Sequence, residues 1–347
     1  MSSEAVVDAG PADVRDSAPL LDVRDLVVHY PVRRSLTDAV RRVPHKQISA
    51  VDGVSLSVQH GEMLALIGES GCGKTSTAQA ILRMIDTTSG TIEVAGRDIT
   101  HLKSQELRPI RRTMQMVYQD PYESLDPRFR VRKAVEEPLL IHGLTGSADQ
   151  REQKIVEALE RVELSPADLF IERYPHELSG GQRQRVAIAA SLVLEPKLLL
   201  ADESVSMLDV SVRAGILSLL DRLRRESDMG IVMITHDLST AAHFADRIAV
   251  MYLGRIVEEG PAQEVVRNPQ HPYTKALMSV VPKRDPRDKT GPQILQGETP
   301  NPIDIPTGCR FHPRCPVAED RCKVTDPPLH AVAASQDEAH RAACILV

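Results

Sequence analysis

Glu62-Met-Leu-Ala-Leu-Ile-Gly68-Glu-Ser-Gly-Cys-Gly-Lys74-Thr75 is the stretch that decides the fold. Residues 62–67 form a short apolar run of the kind a buried strand makes, and residues 76–85 have helical spacing. Between them stands a complete G-x-x-x-x-G-K-T, in the strand-then-helix context that a phosphate loop requires. Glycines allow successive backbone N–H groups to curl around a phosphate, and the start of a helix adds its positive dipole. The candidate cradle is Ser70, Gly71, Cys72, Gly73, Lys74, Thr75 and Ser76. Lys74 is placed to neutralise β and γ phosphates, and the Thr75 hydroxyl to ligate Mg²⁺.

Two more apolar runs repeat the design. Leu198-Leu-Leu-Ala-Asp202-Glu203 delivers two adjacent carboxylates at a strand end, where ligand sites of α/β sheets lie. With a phosphate loop in the same chain, Asp202 is the candidate Mg²⁺ holder, and Glu203 the group that orients or deprotonates the attacking water. Ile231-Val-Met-Ile-Thr-His236 ends in a histidine within reach of a γ phosphate if the strands are neighbours. Leu178-Ser179-Gly180-Gly181-Gln182 opens a helix, so its N–H groups and dipole can meet an anion.

Working outward, residues 1–19 are rich in Ala, Asp, Ser and Pro and read as a flexible tail. Residues 20–30 and 51–58 alternate apolar and polar positions and read as strands, separated by a basic loop over 31–47 with Pro31 and Pro44. Residues 91–99 suggest a pair of edge strands, and 128–178 are helix-rich, with Ile155, Leu159 and Val162 on one face. A helical period covers 212–223. Strands alternating with helices predict an α/β core with a mainly parallel sheet. Six prolines between 282 and 306 predict a linker or an extended, loop-rich segment.

Composition narrows the function. The 347 residues carry 42 Lys plus Arg against 48 Asp plus Glu, a net charge of −6, which argues against a nucleic-acid binder. No Trp, six Tyr and four Phe leave few platforms for base stacking. An apolar content of 42% excludes a disordered chain. No run approaches the roughly 20 apolar residues of a membrane span, and no signal-peptide pattern opens the chain, so a cytoplasmic location is expected. Cys309, Cys315, Cys322 and Cys344 follow the proline-rich segment. Four thiols suit zinc or an iron–sulfur cluster, although the C-x2–4-C pair usual for zinc is missing; four reduced buried thiols are the third reading. His312 is either a spare ligand or a surface residue, and Cys72 belongs to the phosphate loop rather than to this set.

Together these motifs resemble the ATP-binding subunits of ATP-binding cassette (ABC) transporters, and the pentapeptide at 178–182 is similar to that family's signature. The resemblance runs from about residue 20 over nearly the whole chain. It implies a phosphate-loop ATPase core at 20–268 with a mainly parallel sheet, an antiparallel β-subdomain and a helical subdomain at about 120–185, followed by a loop-rich extension at 269–347. It implies that Tyr30 stacks on adenine, that Gln119 senses Mg²⁺ and nucleotide, and that Ser206-Met-Leu-Asp209 crosses to a partner cassette. It also implies a head-to-tail dimer in which Ser179, Gly180, Gly181 and Gln182 contact ATP held by the other chain. Ser204 and Met207 depart from the family, which usually has Pro and Ala there.

Pro31-Val-Arg-Arg, the segment Gln119-Asp-Pro-Tyr-Glu-Ser-Leu-Asp-Pro-Arg128, and Asn268-Pro-Gln-His-Pro-Tyr-Thr-Lys-Ala-Leu277 resemble the dipeptide/oligopeptide importer cassettes. In them a [4Fe–4S] cluster can be bound by a cysteine pattern similar to that of Cys309, Cys315, Cys322 and Cys344. The same resemblance implies two transmembrane permease subunits, a second ATPase subunit that is a paralogue, and an extracytoplasmic substrate-binding protein. Nickel or oligosaccharide cargo stays open, because an ATPase subunit does not touch cargo. A soluble cassette ATPase acting on DNA or ribosomes would carry a coiled-coil insertion or a second cassette, and this chain has neither.

Overall fold

The computed structural model describes residues 18–32, 46–119, 124–144, 146–203, 208–280, 295, 297–332 and 339–347. Most of the basic loop at 31–47, residues 120–123 of the segment after Gln119, and Ser204, Ser206 and Met207 lie outside the described residues.

The strands are β1 (Leu21–Pro31), β2 (Gln47–Val58), β3 (Met63–Ile67), β4 (Ser89–Val94), β5 (Arg97–Asp98), β6 (Met114–Val117), β7 (Leu198–Asp202), β8 (Gly230–Thr235), β9 (Arg247–Tyr252), β10 (Arg255–Pro261), β11 (His330–Ala331) and β12 (Arg341–Ala342). The helices are α1 (Lys74–Ile81), α2 (Ser104–Thr113), α3 (Val131–Ile141), α4 (Ala148–Arg161), α5 (Gly180–Leu192), α6 (Val210–Ser227), α7 (Leu238–Phe244), α8 (Ala262–Arg267) and α9 (Pro272–Ser279). One sheet is antiparallel, in the order β2-β1-β4-β5. The other has the order β11-β12-β10-β9-β3-β8-β7-β6, parallel from β9 to β6 and antiparallel from β9 outward to β11.

The central strands read as unbroken apolar runs because both of their faces are covered. Along β3, Met63, Ala65 and Ile67 belong to one core and Leu64 and Leu66 to the other. Leu199 and Ala201 against Leu198 and Leu200, and Ile231 and Met233 against Val232 and Ile234, divide the same way. This is the strand period of two. One core is filled by α3, α4, α5 and α6 through Val135, Leu159, Val186 and Leu220. The other is filled by the antiparallel sheet and α1 through Val23, Val54, Ile92 and Ile81.

The sequence reading did not anticipate β6, β9, β10, β11 or β12; of these, β10, β12 and β11 carry the C-terminal region onto the main sheet, at the edge opposite β6. β12 pairs with β10 at Glu258↔Ala342 and Glu259↔Arg341. Glu258 is fully buried; it accepts the backbone N–H groups of Gln270 (2.7 Å) and His271 (2.8 Å), and its Oε1 lies 2.8 Å from His340 Nε2. One carboxylate therefore ties the start of α9 and the approach to β12 to strand β10. Removing it leaves three buried partners unsatisfied. Glu258→Ala is expected to cost about 3–5 kcal/mol in urea unfolding, as for the loss of one member of a buried charged network. A loss below about 1 kcal/mol, the worth of one ordinary hydrogen bond, would show that the carboxylate does not tie the region down.

Candidate active site

The order β3-β8-β7-β6 sets four chain ends side by side. Ile67 pairs with Thr235, Asp202 with Ile234, and Ala201 with Val117. Gly68, His236, Glu203 and Gln119 each follow these register-matched ends by one or two residues, so parallel pairing alone gathers the phosphate loop, the histidine, the carboxylates and the glutamine along one edge.

The loop from Gly68 to Thr75 is tightly seated. Gly73 caps α1 at φ 109°, and a Cβ there would come within 2.1 Å of the Ala50 carbonyl, so no other residue fits. Gly254, in the β9–β10 turn, donates its N–H to the Cys72 carbonyl at 2.8 Å. The Lys74 ammonium, nearly buried, bonds the Gly68 carbonyl at 2.8 Å and the Glu69 carbonyl at 3.0 Å. Burial pushes the Cys72 thiol up in spite of the neighbouring Lys74. This cysteine packs in the β-sheet-side core, away from the other four. Ser70, Gly71 and Thr75 face solvent. Tyr30 on β1 reaches α1, its hydroxyl 3.5 Å from that of Ser76.

The carboxylates differ. Burial, reinforced by the negative charge of Glu203, raises the Asp202 carboxyl, while a hydrogen bond from Thr75 works the other way. Glu203 has left-handed backbone, φ 42°, and its N–H donates to the Ile234 carbonyl at 2.9 Å. Such backbone in a non-glycine residue costs of order 1–3 kcal/mol and marks functional positions. Its two oxygens are taken separately: Gln119 Nε2 donates to one at 3.1 Å, and His236 Nδ1 lies 3.3 Å from the other. Gln119 and His236, both named from sequence, thus meet at one carboxylate.

The signature residues lie elsewhere. Ser179 caps α5, with its hydroxyl accepting the Gln182 N–H (3.3 Å) and the Gln182 side chain accepting the Ser179 N–H (3.0 Å). A Cβ on Gly181 would come within 2.6 Å of Val212, while Gly180 sits against Leu208. Among the described residues no hydrogen bond joins this turn to the phosphate loop of the same chain.

Glu69 was missed as a functional candidate. Its backbone N–H donates to the Tyr273 hydroxyl at 2.9 Å, and its carboxylate takes both Arg314 nitrogens (2.8 and 3.1 Å) and the Thr299 hydroxyl (2.6 Å). Burial opposes ionisation, but these bonds and Lys74 hold the carboxyl below its ordinary value. The sequence carried no signal for this pair, whose members lie 245 residues apart.

Cys309, Cys315, Cys322 and Cys344 all border one small apolar cavity with His271, Phe311 and His312. Burial pushes the Cys309 thiol up to about 11 and raises Cys315 and Cys344 as well. His312 Nδ1 sits 2.9 Å from the Cys309 carbonyl. Among the described residues, no three His, Cys, Asp or Glu side chains are placed to hold a metal ion.

A family model described as "ABC transporter" matches residues 51–206, and one described as "Oligopeptide/dipeptide transporter, C-terminal region" matches residues 257–322. The di/tripeptide transport ATP-binding protein DppF of Pseudomonas aeruginosa is 43% identical over 324 residues, 93% of this chain and 98% of that protein. The oligopeptide transport ATP-binding protein OppF of Salmonella typhimurium is 44% identical over 313 residues, 89% of this chain and 92% of that one. Among solved structures, the dimeric post-hydrolysis cassette MJ0796 bound to ADP and phosphate superposes with a TM-score of 0.61 at 28% identity, covering 70% of this chain and 99% of its own. The cassette cbiO1 of Clostridium perfringens, part of the complex cbiONQ, gives 0.61 at 27% identity over 72% of this chain and 91% of its own. The chain belongs to the ATP-binding subunits of ABC transporters, in the group that carries the C-terminal region of oligopeptide and dipeptide transporters.

Proposed function

We propose that this chain hydrolyses ATP to drive the import of di- and oligopeptides through two transmembrane permease subunits. The observation that carries the reading is the meeting of Gln119 and His236 on Glu203, beside a phosphate loop, in a chain with this C-terminal region. Tyr30 stacks on adenine, while the N–H groups of Ser70 to Ser76 and the Lys74 ammonium hold the phosphates. Thr75, Asp202 and Gln119 would hold Mg²⁺, whose chemistry there is to neutralise charge on the β and γ phosphates. The Thr75 hydroxyl, near enough to oppose the rise of the Asp202 carboxyl, supports that pairing of oxygen donors. Glu203 orients the attacking water and takes its proton, and His236 holds the γ phosphate.

Ser179, Gly180, Gly181 and Gln182 act on ATP bound by a second cassette, a paralogue in a head-to-tail dimer. That no hydrogen bond among the described residues joins them to this chain's own loop is consistent with a role in trans, which the dimeric cassette among the structural relatives supports. A groove of about 770 Å³ bordered by Met116, Tyr118, Leu125, Pro127, Phe129 and Ile141 receives a helix of a permease subunit. Among the described residues no helix is long and apolar enough to cross a membrane; the chain docks peripherally at the cytoplasmic face through the permease subunits. An extracytoplasmic binding protein delivers cargo to the permease.

Cys309, Cys315, Cys322 and Cys344 would hold a [4Fe–4S] cluster. Four soft donors border one cavity, which supports this in kind; no three of them converge on one metal position as they stand, so a bound cluster would draw them together and cross-link the segments that carry them. Anaerobic purification from membranes tests both readings. The expected result is two membrane subunits and a second cassette, with about four irons per chain that are lost in Cys309→Ser. Association with DNA or ribosomes and no membrane subunit would overturn the importer. A colourless, iron-free complex would overturn the cluster alone.

A further inference from the structure

The phosphate loop is gripped from outside the core. Arg314 is nearly buried and forks both nitrogens onto the Glu69 carboxylate, the first residue after Gly68. Thr299 bonds the same carboxylate, and Tyr273 accepts the Glu69 N–H. The Glu69 carbonyl in turn accepts from Lys74. A continuous path therefore leads from the C-terminal region to the ammonium that meets phosphate.

The base of the grip is rigid. Arg314 closes a short 3-10 turn (His312–Arg314). Its guanidinium lies 6.0 Å from the ring centre of Tyr252, which packs on Tyr273 and Phe311 at 4.7 and 5.3 Å. All three rings are essentially buried. A planar, two-pronged guanidinium fixes both the place and the orientation of a carboxylate, which a lysine does not.

We infer that Arg314 is a positioning residue for nucleotide binding: through Glu69 it sets the conformation of the phosphate loop, making the C-terminal region part of the ATP site's frame. The inference rests on the ATPase reading above. Glycine-rich loops have many accessible conformations, and a loop fixed in its binding shape before ATP arrives binds without paying for that order.

The test is ATP binding and turnover by the full chain and its complex. Arg314→Ala is expected to raise the Kd and KM for ATP at least fivefold while leaving kcat at saturating ATP within about twofold. Arg314→Lys should fall between the two. Glu69→Gln, which keeps the shape, should raise KM with Arg314 intact, and the double variant should be no worse than Arg314→Ala. A merely structural role predicts a smaller active fraction, seen as lower kcat at unchanged KM, and that result overturns the inference. So do additive losses in the double variant. Should Arg314→Ala fail to fold, Glu69→Gln decides alone: a wild-type KM overturns the inference. A wild-type chain that binds no ATP would instead refute the ATPase reading.

Discussion

Glu203→Gln is expected to lower ATP turnover by about 10² to 10⁴-fold, the usual contribution of a positioned general base. The amide keeps the size of the carboxylate and stays in the same strained turn, within reach of Gln119 and beside His236. What it loses is the negative charge and the ability to take a proton from water. Binding depends on other groups, so the Kd for ATP should stay within a few-fold of wild type and an ATP-bound dimer should accumulate. Steady-state phosphate release and size-exclusion chromatography with ATP measure both. Turnover within tenfold of wild type would move the base away from Glu203.

The second large effect is expected at Lys74. Its ammonium is held at the mouth of the loop by the Gly68 and Glu69 carbonyls, so it is aimed before a phosphate arrives. A hydrogen bond to a charged group is worth about 1.5–3 kcal/mol. Lys74→Ala should therefore weaken ATP binding about 10- to 150-fold, measured by titration with a fluorescent ATP analogue. Folding should survive, because with the two Lys74 bonds gone the loop is still seated by Gly73, by the Gly254–Cys72 bond and by the Tyr273 and Arg314 bonds to Glu69. An unchanged Kd would mean that the loop is not where phosphate binds. The contrast is diagnostic: Glu203→Gln keeps ATP affinity and loses turnover, whereas Lys74→Ala loses affinity.

The site was legible where local chemistry is written in consecutive residues. The phosphate loop, Asp202–Glu203 and His236 each end an apolar run, and strand pairing brings them together. Gln119 came from resemblance, not from pattern; its strand, Met114–Val117, is only four residues long, too short for period to register. β10 was hidden for a different reason. Arg255-Ile-Val-Glu-Glu-Gly-Pro261 carries two adjacent glutamates that look solvated but are buried, because Glu258 and Glu259 find partners from the far C-terminus. The strands that answer them, His330–Ala331 and Arg341–Ala342, are two residues each. Likewise the Arg314–Glu69 pair depends on a chain path that no local pattern encodes. Long-range polar pairing made the C-terminal region read as an appendage, while in the fold it continues the main sheet and touches the ATP site.

Peptide uptake into proteoliposomes tests the central claim most directly. The chain would be reconstituted with its membrane subunits, its partner cassette and the binding protein, with ATP on the cassette side. The account predicts accumulation of labelled di- or oligopeptide that depends on ATP hydrolysis and is lost with Glu203→Gln. Vigorous ATP hydrolysis that peptide does not stimulate, with no peptide accumulated, would contradict it.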